Sequence, residues 1–198
     1  MGELNWSKSV NAVAAVAGEA NHPGILRNST AANTNVSALR MINNNNIGTI
    51  TRGDVDSMTA IVRPRTMTAV KLMFGLIDNA SGSDTSASDM IAFVFSTGVD
   101  NDDWSYITKS GGTGTTTATT TDIAADTWYK LEIRGISTGS IDFYINDVAV
   151  ATGITSNIPS SSIAFTPVLS IQSTNSTTNT NFDIDYFRIR SIRYGARF

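Results

Sequence analysis

From Tyr129 to Arg134 the residues Tyr129, Leu131 and Ile133 alternate with Lys130, Glu132 and Arg134. A period of two puts one side of a β-strand in a core and the other in water. Ile141, Phe143 and Ile145 repeat the pattern. Asn146-Asp147 then supplies two residues that tolerate positive φ, and Val148-Ala149-Val150 leads back, which predicts a β-hairpin. A third segment alternates through Ile163, Phe165, Pro167, Leu169 and Ile171. The fourth, Phe182 to Arg190, begins in phase and slips at Tyr186-Phe187, so a bulge or a strand buried on both sides is expected there.

Upstream, Ala69 to Ile77 and Met90 to Phe95 are the most apolar stretches, and the second is apolar on both faces, as a central strand would be. Weaker strands are expected over Ile25–Arg27, Ser37–Ile42, Met58–Val62 and Trp104–Thr108, each bounded by turn formers. Val10 to Ala20 mixes helix-favouring alanines with valines and runs into Asn21-His22-Pro23-Gly24; we read it as an edge strand. The total is about ten strands. Pro64, Pro159 and Pro167 are expected in loops or at strand margins. Asn43–Asn46, Ser110–Thr121 and Ser173–Asn181 are polar and of low complexity, and within them Thr113–Thr121 suits a solvent-facing edge strand or a long loop. No repeat or linker divides the chain, so residues 1–198 read as one β-sandwich domain.

Composition removes whole classes of chemistry. The 198 residues contain no cysteine and one histidine, which excludes disulfides, thiolate chemistry and a multi-histidine metal site within one chain. A net charge of −3 with 16% charged residues and no Lys/Arg run gives no footprint for nucleic acid. Arg188, Arg190, Arg193 and Arg197 read as a solvated or interface face. No apolar run is long enough to insert in a membrane, and the N-terminus lacks a secretory pattern.

Three candidate sites follow. In Asp100-Asn101-Asp102-Asp103-Trp104-Ser105-Tyr106, carboxylates stand beside aromatics, as in a calcium-assisted sugar site. Asp100, Asp102 and Asp103 would be the Ca²⁺ ligands; Trp104 and Tyr106, with Trp128, would be the sugar platforms. The Asp-x-Asp-x-Asp-Gly spacing of an EF-hand is missing, and core or rim packing is the default for Trp6, Trp104 and Trp128. Asp183 and Asp185 fall at i and i+2 on one strand face, where pairing with arginine is the ordinary outcome. His22, between Asn21 and Pro23-Gly24, reads as a structural histidine hydrogen-bonded beneath a turn.

The hairpin at Phe143-Tyr144-Ile145-Asn146-Asp147 and the strand Phe182-Asp183-Ile184-Asp185-Tyr186-Phe187-Arg188-Ile189 resemble the back half of concanavalin A-like lectin/glucanase jelly rolls. Gly18 to Thr30, with its His-Pro-Gly turn, is similar to a segment of virion structural proteins of tailed bacteriophages. The resemblance implies an all-β antiparallel sandwich of the concanavalin A-like jelly-roll type. It also implies a non-enzymatic role on a virion surface, as capsid decoration, head fibre or receptor-binding tail module, with other virion proteins as partners and a host-surface glycan as a further one. On this reading the subunit is a homo-oligomer, a trimer by expectation, with Tyr194 and Phe198 buried against a neighbour. The alternative is a carbohydrate-binding module or glycan-active enzyme of the same superfamily. Glucanases of that fold place Glu-x-Asp-x-x-Glu or a close variant on one strand; here Glu3, Glu19 and Glu132 are the only glutamates and none is so arranged, so no catalytic residue is assigned.

Overall fold

The computed structural model describes residues 5–9, 13–30, 36–42, 50–78, 87–98, 103–175 and 177–192. In chain order the strands are β1 (Asn5–Ser9), β2 (Val13–Val16), β3 (Ile25–Thr30), β4 (Val36–Ile42), β5 (Ile50–Thr51), β6 (Val55–Pro64), β7 (Val70–Ile77) and β8 (Met90–Ser96). They continue with β9 (Asp103–Ser110), β10 (Thr113–Asp122), β11 (Tyr129–Arg134), β12 (Ile141–Ile145), β13 (Val148–Ile154), β14 (Ala164–Ser173) and β15 (Thr180–Ser191). One turn of 3₁₀ helix, Arg52–Asp54, is the only helical segment among the described residues.

Two antiparallel sheets face each other. One has eight strands in the order β1-β4-β14-β7-β8-β9-β10 with β5 beside β14, and the other has seven in the order β13-β12-β11-β6-β15-β3-β2. Alternation decides what lies between them. Leu72, Phe74 and Leu76 of β7, Phe93 and Phe95 of β8, and Leu169 and Ile171 of β14 meet Met58 and Val62 of β6, Leu131 and Ile133 of β11 and Phe143 of β12 in one buried cluster. Burying a side chain of this size stabilises by roughly 1.5–3 kcal/mol, which is why the sheets pack on this face.

The expected hairpin is present: β12 pairs with β13 across Asn146 and Asp147, at φ 52° and 67°. Both values lie in the left-handed region that a two-residue turn of this hand requires. The phase slip in β15 is a register shift between Ile184 and Tyr186, after which Tyr186 opposes Ile61 and Phe187 opposes Ala60. A bulge at Asp185 thus returns Phe187 and Ile189 to the core side. Val13–Val16 is a strand, paired with β3, and Thr113–Asp122 forms the largely exposed edge strand of the eight-stranded sheet. The fifteen strands among the described residues, against about ten expected, include short or polar ones that carry too little apolar alternation to stand out.

Pro167 corrects the expectation that prolines avoid strand interiors. It lies within β14 opposite Leu76. On its other side, β5 pairs with Ala164 and Phe165 while β4 begins pairing at Val168, so Pro167 sits at the break between the two. The missing N–H therefore costs the ladder little.

The sheets turn different surfaces outward. Beyond the core, the eight-stranded sheet carries Met73, Ile77, Met90, Ala92, Val94 and Val168 in a second buried apolar cluster. At its centre a Cβ on Gly75 would lie 2.2 Å from the Ile91 carbonyl oxygen, so β7 and β8 can approach this closely only with glycine there. The seven-stranded sheet instead turns out charged residues and tyrosines.

Candidate functional site

On the outward face of the seven-stranded sheet, register places Arg27 opposite Asp183 and Asp183 opposite Arg63. Arg27 donates to both Asp183 oxygens, at 2.6 and 2.9 Å, and Arg63 adds a bond of 2.8 Å. Arg63 also grips Glu19 with two bonds of 2.8 and 2.7 Å, and Arg65 pairs with Asp126 at 2.6 Å. The Asp183 side chain is 0% exposed. Burial alone would push its carboxyl up; the hydrogen bonds and charges of Arg27 and Arg63 outweigh this and hold it below the usual carboxylate range. The hydrogen bond from Arg63 likewise lowers Glu19, and the bond to Glu19 raises Arg63 further.

The turn before β3 completes this corner. His22 Nδ1 lies 2.9 Å from Asp185 Oδ2, and the His22 ring stacks on Trp128 with centroids 4.1 Å apart. The Arg63 guanidinium lies 4.5 Å from the Trp128 ring centre. Every charged group named here has a partner inside the chain, so the corner is a structural lock.

Farther along β6 the pattern changes. Tyr186, Arg188 and Arg190 of β15 oppose Ile61, Thr59 and Ser57, and on the other flank Lys130, Glu132 and Arg134 of β11 oppose the same three residues. Tyr144 of β12 stands opposite Glu132. The short Ser57 and Thr59 side chains thus floor a shallow trough between rows of long ones, about 10 Å across from strand spacing. Arg134 bonds Glu132 at 2.8 Å, a contact that raises the arginine further, and its guanidinium lies 4.1 Å from the centre of the Tyr144 ring. Arg190 reaches Asp56 at 3.3 Å, and Lys130 pairs with Asp147. Among the described residues Arg188 has no hydrogen-bond or ion-pair partner, and Tyr186 beside it is 42% exposed. This trough offers a free fork of N–H donors and two tyrosines. The glutamate beside it, Glu132, is held by Arg134.

The candidates read from sequence are placed elsewhere. Trp104 is 1% exposed and packs edge-on against Phe93 and Tyr129, so it has no face for a sugar. Tyr106 turns to the same side and stacks on Phe143 at 4.8 Å; it is core margin and not a platform. The physical reason is strand phase, which in β9 sends Trp104, Tyr106 and Thr108 inward together. Trp128 is partly exposed as expected, but its ring is engaged by His22 and Arg63. Asp103 opens β9, while Asp100 and Asp102, with Tyr194 and Phe198, lie outside the described residues. No group of three or more metal-ligating side chains occurs among the described residues. Asp183 does pair with arginines, and Asp185 with His22.

Sequence reasoning passed over Arg27, Arg63, Glu19, Thr59 and Tyr144. The usable signal was Tyr144 and Tyr186, aromatics at positions whose phase points to solvent, and Arg63 between Val62 and Pro64 in a strand that is otherwise half apolar.

The two-sheet architecture defines an antiparallel β-sandwich of the concanavalin A-like jelly-roll type, shared with solved structures of that class. A Bacteroides ovatus glycoside hydrolase family 16 endo-glucanase superimposes with a TM-score of 0.65 at 10% identity, covering 93% of this chain and 94% of that one. The carbohydrate-binding module CBM66 from Bacillus subtilis gives 0.50 at 10% identity, over 94% and 96%. Protein SO2946 from Shewanella oneidensis MR-1, of unknown function, gives 0.67 at 13% identity, over 98% and 81%. No curated protein sequence matches significantly. The family model for the SO2946-like, C-terminal domain matches residues 21–185, and the chain belongs to that family.

Proposed function

We propose that the chain is a glycan-binding β-sandwich module that does not cleave its ligand. One observation carries the reading: along β6 an unpartnered Arg188 and the two tyrosines Tyr144 and Tyr186 flank an open trough, while the described glutamates, Glu19 and Glu132, are locked to Arg63 and Arg134. Tyrosine faces and guanidinium donors suit a sugar's apolar ring faces and its oxygens. Glycoside cleavage by the usual route needs two carboxyl groups about 5–5.5 Å or about 6.5–9.5 Å apart, one of them protonated. The outward positions of β8, the most apolar strand, are Met90, Ala92 and Val94.

The fold likeness to a glucanase and to a carbohydrate-binding module supports a glycan role. It gives no support to the virion role inferred from Gly18–Thr30, and the glycan alternative is the one carried forward. A panel of immobilised polysaccharides, with reducing-end assays on the same polymers, tests the proposal. Retention on at least one polymer without new chain ends is expected. Release of chain ends would favour the enzyme reading, and absence of retention on every polymer would remove the glycan role.

A further inference from the structure

We infer that the ligand of the β6 trough is an acidic polysaccharide whose carboxylate is taken by Arg188; this rests on the glycan reading above and narrows it. Arg188 and Arg190 stand two residues apart on one face of β15, about 7 Å along the strand. Arg134 faces Arg190 across Ser57. The trough therefore presents three guanidinium groups around a floor of hydroxyls.

The acids of the same face take two of these three guanidinium groups and leave the third. Glu132 is bound by Arg134, Asp147 by Lys130 and Asp56 by Arg190, and the Asp142 carboxylate accepts the Gly153 N–H at 2.7 Å. Among the described residues of this face Arg188 alone is left over, beside the exposed Tyr186. A guanidinium is a planar fork that matches a carboxylate with two parallel bonds. This sheet face already uses arginines in that way at its other end, where Arg27 meets Asp183 and Arg63 meets Glu19 with two bonds each. A second, ligand-borne carboxylate meets the same chemistry at Arg188, while the ring that carries it lies against Tyr186. The chain's net charge of −3 and the pairing of the other bases argue against a densely charged polyanion such as nucleic acid, which needs a continuous basic surface.

The test uses the full chain and polygalacturonate, with the same polymer after carboxyl reduction as the neutral control and a sulfated glycan as the alternative anion. Affinity is measured by titration calorimetry at low and high salt for wild type, Arg188→Ala and Arg188→Lys. Thermal unfolding establishes that the variants are folded. The expected result is binding of the uronate polymer that weakens with salt, is lost on carboxyl reduction, and falls about tenfold or more in Arg188→Ala, with partial recovery in Arg188→Lys. Equal binding of the reduced polymer would overturn this inference and leave the glycan reading standing. Binding of the sulfated glycan alone would overturn the carboxylate assignment. Uronate binding that Arg188→Ala leaves unchanged would place the ligand elsewhere, and failure to bind any of the three would overturn the inference, while retention on some other polymer of the panel would still uphold the glycan reading.

Discussion

Arg63 and Arg188 project from the same outward face of one sheet, on adjacent strands, and have opposite fates. Arg63 is nearly buried, bonded to Glu19 and Asp183 and laid over Trp128. Arg188 is exposed and unpartnered among the described residues. The difference is one of neighbours. Around Arg63 the turn before β3 brings Glu19 and His22 over the sheet face, and β3, beside β15 in the same sheet, brings Arg27, whereas around Arg188 the neighbours on β6 are the short Ser57 and Thr59. A charged residue on a sheet face becomes scaffold where other elements close over it, and stays available for a ligand where they do not.

The sharpest way to break that comparison is Asp183→Asn. Removing one partner of a buried ion pair costs about 3–5 kcal/mol, because the arginines left behind lose their counter-charge. Denaturant unfolding should show a loss of that size, and a loss below about 1 kcal/mol would mean that the corner is not a lock.

Acid should reach the same group. The folded-state pKa of Asp183 is depressed, so its contribution is fully present above its unfolded pKa, about 3.9, and is lost as pH falls through the lower folded value. Stability measured from pH 6 downward should fall below about pH 4, and Asp183→Asn should flatten that decline. An unchanged slope in the variant would assign acid sensitivity to other carboxylates.

Trp128→Ala probes the lid of the corner and should be milder. It removes the stack with His22 and the contact with Arg63, each worth about 0.5–1.5 kcal/mol, and should lower the unfolding temperature while leaving ligand binding by the trough in place. Loss of binding together with stability would join the two regions that we separate. Arg188→Ala should have the smallest effect on folding, within about 0.5 kcal/mol, because the side chain contributes no pairing.

Much of this scaffold was legible in the residues themselves. Alternation in β11 and β12, the Asn146-Asp147 turn and the slip at Tyr186-Phe187 are local signals, and each has its counterpart in the sheets. Strand phase failed at β9, where Trp104 and Tyr106 alternate with Ile107, which packs near the outward apolar cluster; apolar side chains on both faces leave the inward one undetermined. The corner lock was out of reach for a different reason. Arg63 and Asp183 are 120 positions apart, and only the adjacency of β6 and β15 makes them a pair. The trough combines both cases: Tyr144 and Tyr186 could be seen as aromatics facing solvent, but the short residues between their strands come from β6, far away in sequence.

The central claim, that the open end of this sheet face is the binding surface, is tested most directly by amide chemical-shift mapping of the isotope-labelled chain during titration with an oligogalacturonate. The account predicts shifts confined to Ser57, Thr59, Tyr144, Tyr186, Arg188 and their strand neighbours, with Trp104, Tyr106 and the outward face of the eight-stranded sheet unmoved. Shifts centred on the eight-stranded sheet, or on the Asp183 corner with the trough silent, would contradict it.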